Sequence, residues 1–332
     1  MRVAIVGAGA IGCYFAAKLA AAGTEVVVLA RGPTLEAIRR SGIAVQGKDN
    51  VIAQVRAIGS PEEAQPADLV ISCVKAYSIP ALAPAIAQML APEGAWLCAV
   101  NGLPWWYAQD LAGPLSGLSL SSVDPSGSIS ATIGPGRTLG CVVYLASEAT
   151  SPGVIRFGGG RGLVVGEPGA QMTRRLERAC SLLREAGITT RETVDIRSAV
   201  WNKLFGNVSL NPLSALTGLT VEGLLADTVL KAFLTDVVGE VQGLAAKAGC
   251  PPETSAEARV MQMAALGPFR SSMLQDAEAG RPLEHEAIIG AVVELAQKLA
   301  VPLPRTELLW ALIRSFAESR GLDPQSQRRA DQ

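Results

Sequence analysis

Apolar and polar positions follow two different rhythms along this chain, and the change comes near Asp195. Before it, short runs rich in β-branched residues, "RVAIV", "EVVVLA", "ADLVISCVKAY" and "GAWLCAV", are separated by helix-like stretches such as "AIGCYFAAKLAAAG" and "IPALAPAIAQML". Nearly continuous apolar strands alternating with helical segments predict an open parallel sheet. Two later runs, "TLGCVVYLASEA" and "VIRFGGGRGLVVGEP", read as antiparallel edge strands that complete it. After Asp195, "DIRSAVWNKLFGNVSL", "LKAFLTDVVGEVQGLAAKAG", "AEARVMQMAAL" and "EHEAIIGAVVELAQKLAV" have the period of helices. Asn211-Pro212 is expected to end or kink the first of these. At 332 residues the chain exceeds one hydrophobic core. The pattern divides it into domains over 1–193 and 194–332, with "GITTRETV" (187–194) as the hinge region and a fraying tail over 321–332.

The first strand–helix junction carries the most specific local chemistry. Gly7-Ala8-Gly9-Ala10-Ile11-Gly12 is G-x-G-x-x-G between a β-branched strand and an alanine-rich helix, followed by Gly23 and a second strand. In that context Gly7 permits the tight turn, Gly9 lets backbone approach a pyrophosphate, and Gly12 lets helix pack on sheet. The helix amino terminus adds unpaired N–H groups and a positive dipole end. The fold class predicted is therefore α/β, a Rossmann-type dinucleotide-binding domain followed by an all-helical C-terminal domain.

An NAD site places an acidic residue at the end of the second strand, to hold the ribose 2′-hydroxyl. Here Ala30 and Arg31 stand there. A guanidinium grips a 2′-phosphate with charge-assisted hydrogen bonds that a carboxylate would repel, so the cofactor predicted is NADPH/NADP+. Lys75 after "ISCV" and Asn101 after "LCAV" fall beyond strand carboxyl ends, where ligands of such sheets bind.

The helical half poses one local question, in "WNKLFGNVSLNP". Lys203, Asn207 and Asn211 are spaced four apart; at about 100° per residue each step drifts only about 40°, so the three share one narrow stripe of a helix. Trp201, Phe205 and Val208 cover most of the opposite face. The plain alternative is an ordinary polar stripe at a surface, which would be broader and richer in charge.

Composition narrows the classes of function. A formal net charge of −1 leaves no footprint for nucleic acid or an anionic membrane. No apolar run reaches the roughly 18 residues that span a bilayer. Six scattered cysteines lack metal spacing and suit a reducing cytoplasm. His285, the single histidine, is expected at a surface or in packing.

The set "GAGAIG", Arg31, "CVKAY", "VNG", "WNKLFGNVSLNPLSALTG" and "RSSMLQDAEAGRPLEHEAIIG" resembles the ketopantoate reductase (2-dehydropantoate 2-reductase) family over nearly the whole chain. The resemblance implies NADPH-dependent reduction of 2-dehydropantoate to pantoate. It makes Lys203 the proton donor to the ketone oxygen and Glu284 its acidic partner near cofactor and reacting centre. Asn207, Asn211 and Ser272 would bind substrate, Asn101 both substrate and cofactor, Lys75 the cofactor, and Ala146 would let the cofactor lie close. Glu284 would also keep the Lys203 ammonium charged. Both a monomer and a homodimer suit the architecture.

Departures from the family pattern are Val100, Val221 and "EHEAI". Trp105, Trp106 and Tyr107, in "LPWWYAQD" after Asn101, read either as core packing or as a reshaped pocket suited to another branched or aromatic 2-oxo acid. A non-catalytic NADP(H) sensor is the reading from a different class.

Overall fold

The computed structural model describes residues 1–109 and 115–324. Its first half is built on β1 (Arg2–Val6), α1 (Ala10–Ala21), β2 (Glu25–Leu29), α2 (Gly32–Ser41), β3 (Ile43–Gly47), β4 (Val51–Ala53), β5 (Arg56–Ile58), β6 (Ala67–Ser72), α3 (Ile79–Met89) and β7 (Leu90–Cys98). There follow α4 (Ser128–Thr132), β8 (Thr138–Ser151), β9 (Val154–Gly166), α5 (Arg174–Glu185) and β10 (Thr190–Thr193). Helices α6 (Ile196–Thr217), α7 (Val221–Ala226), α8 (Thr228–Lys247), α9 (Ala256–Ala264) and α10 (Ser272–Glu278) come next. A π-helical turn (Glu286–Gly290) then runs into α11 (Ala291–Lys298), and α12 is Pro304–Ser319.

One sheet holds the strands in the order β4-β3-β9-β8-β7-β6-β1-β2-β5, with β10 also paired to β9. Strands β2, β1, β6, β7 and β8 run parallel to one another. Their apolar sequences are buried on both faces, as a parallel strand requires: Val3, Ile5, Val28, Leu69, Ile71 and Leu97 on one face and Ala4, Val70 and Trp96 on the other are fully inaccessible. Helix α1 buries Cys13, Phe15, Ala16, Ala17 and Leu19 against this sheet.

Two features of the sheet differ from the sequence expectation. Strands β8 and β9 are antiparallel as expected, but neither is an edge. The 13-residue β9 is long enough to pair along one side with β8 and along the other with β3 at its start and β10 at its end. The "GITTRETV" stretch is accordingly not a bare hinge, because β10 within it is hydrogen-bonded into the sheet over Thr190 to Thr193.

The contacts divide the chain into two compact units: 1–100 with 126–196, and 101–125 with 197–332. The boundary expected at 193/194 lies close to the last passage between them at Ile196, while residues 101–125 belong with the helices. In the helical unit α8 buries Leu234, Val237, Val238, Val241 and Leu244 and packs on α7, α9 and α12. Of the two outcomes expected at Asn211-Pro212, the helix does not end there: α6 carries Pro212 inside it and runs on to Thr217. A proline removes one donor, and burial of Leu213 to Ala215 holds the remaining turn. The start of the expected frayed tail is pinned: Leu322 is buried, its N–H donates to the Ala317 carbonyl and its carbonyl accepts from the Leu283 N–H at 2.9 Å. The rest of that tail, 325–332, lies outside the described residues.

Candidate active site

In the first unit the glycine loop closes as its sequence demands. A Cβ on Gly12 would collide with the Gly7 carbonyl oxygen and approach Cys73 Cβ to 3.3 Å, so this helix can meet the strand ends only with glycine there. Gly9 differs: a Cβ on it would meet nothing within 4 Å. The protein itself therefore does not require glycine at that position, whereas a pyrophosphate laid on the amino end of α1 would. Ala8, Ala10 and Ile11 complete the turn and the first helical residues, whose N–H groups have no partner within a helix. These residues fit a dinucleotide.

Around the loop, Arg31 is exposed at the carboxyl end of β2, as the N-cap of α2. Lys75 is half-buried beyond β6, where its carbonyl accepts from Ser78 N–H. Ala146 is exposed on the irregular part of β8 and faces Gly159 of β9. The next residue, Ser147, donates its hydroxyl to the Ala10 carbonyl at 3.4 Å. Strand β8 thus borders the glycine loop through Ser147, a contact for which the sequence carried no local signal.

Beneath the loop lies a neutral floor of thiols. Burial pushes Cys13 and Cys98 up to about 12 each. Cys73 is driven upward by burial and then by the proximity of Cys141, Cys13 and Cys98. Among the described residues no group of three or more His, Cys, Asp or Glu side chains is arranged to hold a metal ion.

In the second unit α6 is buried nearly all round: Val200, Trp201, Leu204, Phe205, Val208 and Leu210 are all inaccessible or nearly so. Its polar stripe is not a solvated face. Lys203 and Asn207 are half-buried and Asn211 is only 7% exposed. Lys203 Nζ donates to Asn101 Oδ1 at 2.5 Å, which joins the stripe to the segment after β7.

Asn101 is itself held from behind. Gly102 adopts a φ of +92°, and a Cβ there would collide with the Ala287 carbonyl oxygen, the same atom that accepts from Leu103 N–H at 2.8 Å. Ala287 lies in the π-helical turn directly after Glu284 and His285. Such turns replace the ordinary ladder with i→i+5 bonds and recur at functional sites. Glu284 is 6% exposed and its carbonyl accepts from Ile288 N–H. His285 is 1% exposed, a packing residue and not a surface one. Ser272 is half-buried at the first turn of α10, and it is the neighbouring Ser271 that caps that helix, accepting from Leu274 N–H. The structure thus joins Lys203 directly to Asn101 and ties Asn101 to the Glu284 segment; Asn207 and Asn211 stand on the same helix as Lys203, and Ser272 on α10 of the same unit.

The aromatic segment after Asn101 is core. Trp105, Trp106 and Tyr107 are 4%, 1% and 0% exposed. Tyr107 Oη accepts from Trp201 Nε1 at 2.6 Å, with the rings edge to face at 5.8 Å. Burial pushes the Tyr107 phenol well above its ordinary value. Asp110, the last residue of "LPWWYAQD", lies outside the described residues.

A parallel α/β unit whose glycine loop suits a dinucleotide, and a helical unit presenting a lysine held by an asparagine, define a nucleotide-dependent oxidoreductase. Comparison with known proteins gives the family. The description "Ketopantoate reductase PanE/ApbA" matches residues 3–169, and its C-terminal counterpart matches 195–317. The chain belongs to the ketopantoate reductase family. It is 39% identical over 323 residues to the 2-dehydropantoate 2-reductase of Mesorhizobium japonicum, covering 97% of this chain and 99% of the relative. A Ralstonia solanacearum MolK2 structure, provisionally described as a ketopantoate reductase, superposes with a TM-score of 0.92 at 41% identity, covering 97% of this chain and 99% of that one. The 2-dehydropantoate 2-reductase of Geobacter metallireducens gives 0.81 at 30% identity, covering 95% and 99%.

Proposed function

We propose that the protein reduces 2-dehydropantoate to pantoate with NADPH. The observation that carries this reading is the Lys203 Nζ to Asn101 Oδ1 hydrogen bond, in a chain whose family reduces this 2-oxo acid. Reduction of a ketone needs positive charge or a proton at the carbonyl oxygen as alkoxide character develops. Lys203 meets that need: its ammonium, steered by Asn101, donates the proton to the ketone oxygen. Asn207 and Asn211 orient the substrate with neutral donors and acceptors, and Ser272 binds it from α10. Glu284, buried beside the turn that holds Asn101, keeps the local charge balance in favour of the ammonium.

When bound, the nicotinamide nucleotide supplies the hydride. On the protein side Gly7, Ala8, Gly9, Ala10, Ile11 and Gly12 would cradle its pyrophosphate. Arg31 would hold the 2′-phosphate that distinguishes NADPH, and Lys75, Asn101, Ala146 and Glu284 would border the remainder. A reducing cytoplasm suits six cysteines that are all free. Burial of Trp105 and Trp106 in the core removes the sequence feature that favoured an aromatic substrate.

The test follows NADPH absorbance against a panel of 2-oxo acids, with NADH in parallel. The expected result is the highest kcat/KM for 2-dehydropantoate with NADPH. Preference for an aromatic 2-oxo acid would displace the substrate assignment, and tight nucleotide binding without turnover on any member would favour a sensor.

A further inference from the structure

The Lys203–Asn101 bond is one end of a longer attachment. The segment 101–109 is fixed to α6 at three further points. Arg197 Nε donates to the Tyr107 carbonyl at 2.8 Å, and another guanidinium nitrogen of Arg197 donates to the Gln109 carbonyl at 2.7 Å. Trp201 Nε1 donates to Tyr107 Oη at 2.6 Å. Between its ends the segment is stiffened by turns, Tyr107 N–H to the Pro104 carbonyl and Gln109 N–H to the Trp106 carbonyl, both 2.9 Å. The Arg197 guanidinium also lies over the rings of Trp106 and Tyr107, at 5.7 and 5.8 Å from their centroids.

The geometry of a helix gives this arrangement a consequence. Trp201 and Lys203 are two residues apart and so project from α6 about 160° from one another. One segment that touches both is a strap around the helix. The apolar packing around α6 restricts its rotation, but the lysine–asparagine bond by itself anchors the helix to this segment at one azimuth only. Attachment at well-separated azimuths resists that rotation, because any turn that moves Lys203 also pulls Trp201 from Tyr107. Buried polar contacts in such a place cost the full desolvation of a group if broken, which makes the register well defined.

Resting on the reading that Lys203 and Asn101 act on the substrate, we propose that Tyr107 is a positioning residue: with Trp201 and Arg197 it sets the rotation of α6 and so holds the Lys203 ammonium at Asn101. The aromatic segment after Asn101 then serves the proton donor by bracing its helix.

Tyr107→Phe keeps the ring and removes only the hydroxyl that Trp201 donates to. The expected result is a fall in kcat for 2-dehydropantoate of about tenfold, with KM within about twofold. A purely structural role would lower kcat by the same factor in any background, so the deciding measurement is a double-mutant cycle. In an Asn101→Ala background, Tyr107→Phe is expected to cost nothing further. Equal fold-losses in both backgrounds, or an unchanged kcat in Tyr107→Phe alone, would overturn the proposal. An Asn101→Ala variant with undiminished kcat would instead overturn the site reading, and the strap's catalytic role with it. If Tyr107→Phe yields no folded protein by circular dichroism, Arg197→Lys, which keeps the charge but loses the two-carbonyl fork, goes through the same cycle with the same criteria.

Discussion

Lys203 Nζ and Asn101 Oδ1 are 2.5 Å apart although 102 positions separate them in the chain. The pair makes Lys203→Ala the most direct test of the proton-donor role. Loss of a preorganised donor costs roughly 10² or more in rate, so kcat should fall by at least that factor. Nucleotide binding, followed by NADPH fluorescence, should persist, since the glycine loop belongs to the other unit. Activity within a few-fold of wild type would rule Lys203 out.

The role proposed for Arg31 is to tell the two nucleotides apart. Charge-assisted hydrogen bonds contribute about 1.5–3 kcal/mol, so Arg31→Ala should raise KM for NADPH by about tenfold or more and leave KM for NADH nearly unchanged. Steady-state kinetics with both nucleotides checks this. Equal effects on the two would remove the 2′-phosphate role.

Gly102 carries Asn101 into place. With φ at +92° and the Ala287 carbonyl against the site of any Cβ, Gly102→Ala must shift the segment. Destabilisation of about 1–3 kcal/mol is expected, together with a loss of kcat larger than the loss of stability explains. Thermal denaturation and kinetics on the same preparation separate the two. Unchanged kcat would mean that Asn101 does not depend on this turn.

Glu294 gives a pH signature to the stability of the helical unit. Burial alone would raise its carboxyl, but hydrogen bonds from the hydroxyls and N–H groups of Ser122 and Ser121, at 2.6 to 3.0 Å, outweigh that and hold it below the ordinary value. A depressed carboxylate contributes stability above its unfolded pKa and loses it as pH falls through the folded one. Glu294→Gln should therefore lower Tm at neutral pH, by the equivalent of about 1–3 kcal/mol, and the difference should shrink as pH drops below about 4. A constant difference across that range would contradict the assignment.

Thiol chemistry reports on the floor of the nucleotide loop. With Cys13, Cys98 and Cys180 each raised to about 12 and Cys73 raised well above the ordinary value, very little thiolate exists at pH 8. A thiol-disulfide reagent should modify these four slowly in the native protein and all six cysteines at once in denaturant. Rapid native reaction at Cys73 would show that the loop opens.

The sequence alone determined the features that depend on near neighbours. Strand and helix periods, the glycine turn between β1 and α1, and the shared face of Lys203, Asn207 and Asn211 follow from backbone geometry repeated every two to four residues. It also specified the family, through motifs that lie within single elements. Tertiary structure alone decided what meets what. The place of β9 inside the sheet, the continuation of α6 past Pro212, the burial of His285, Trp105 and Trp106, and the bond between Lys203 and Asn101 all depend on contacts between distant segments. Local propensities are worth tenths of a kcal/mol per residue, whereas burying one large side chain is worth about 1.5–3 kcal/mol, so packing overrides them wherever the two disagree.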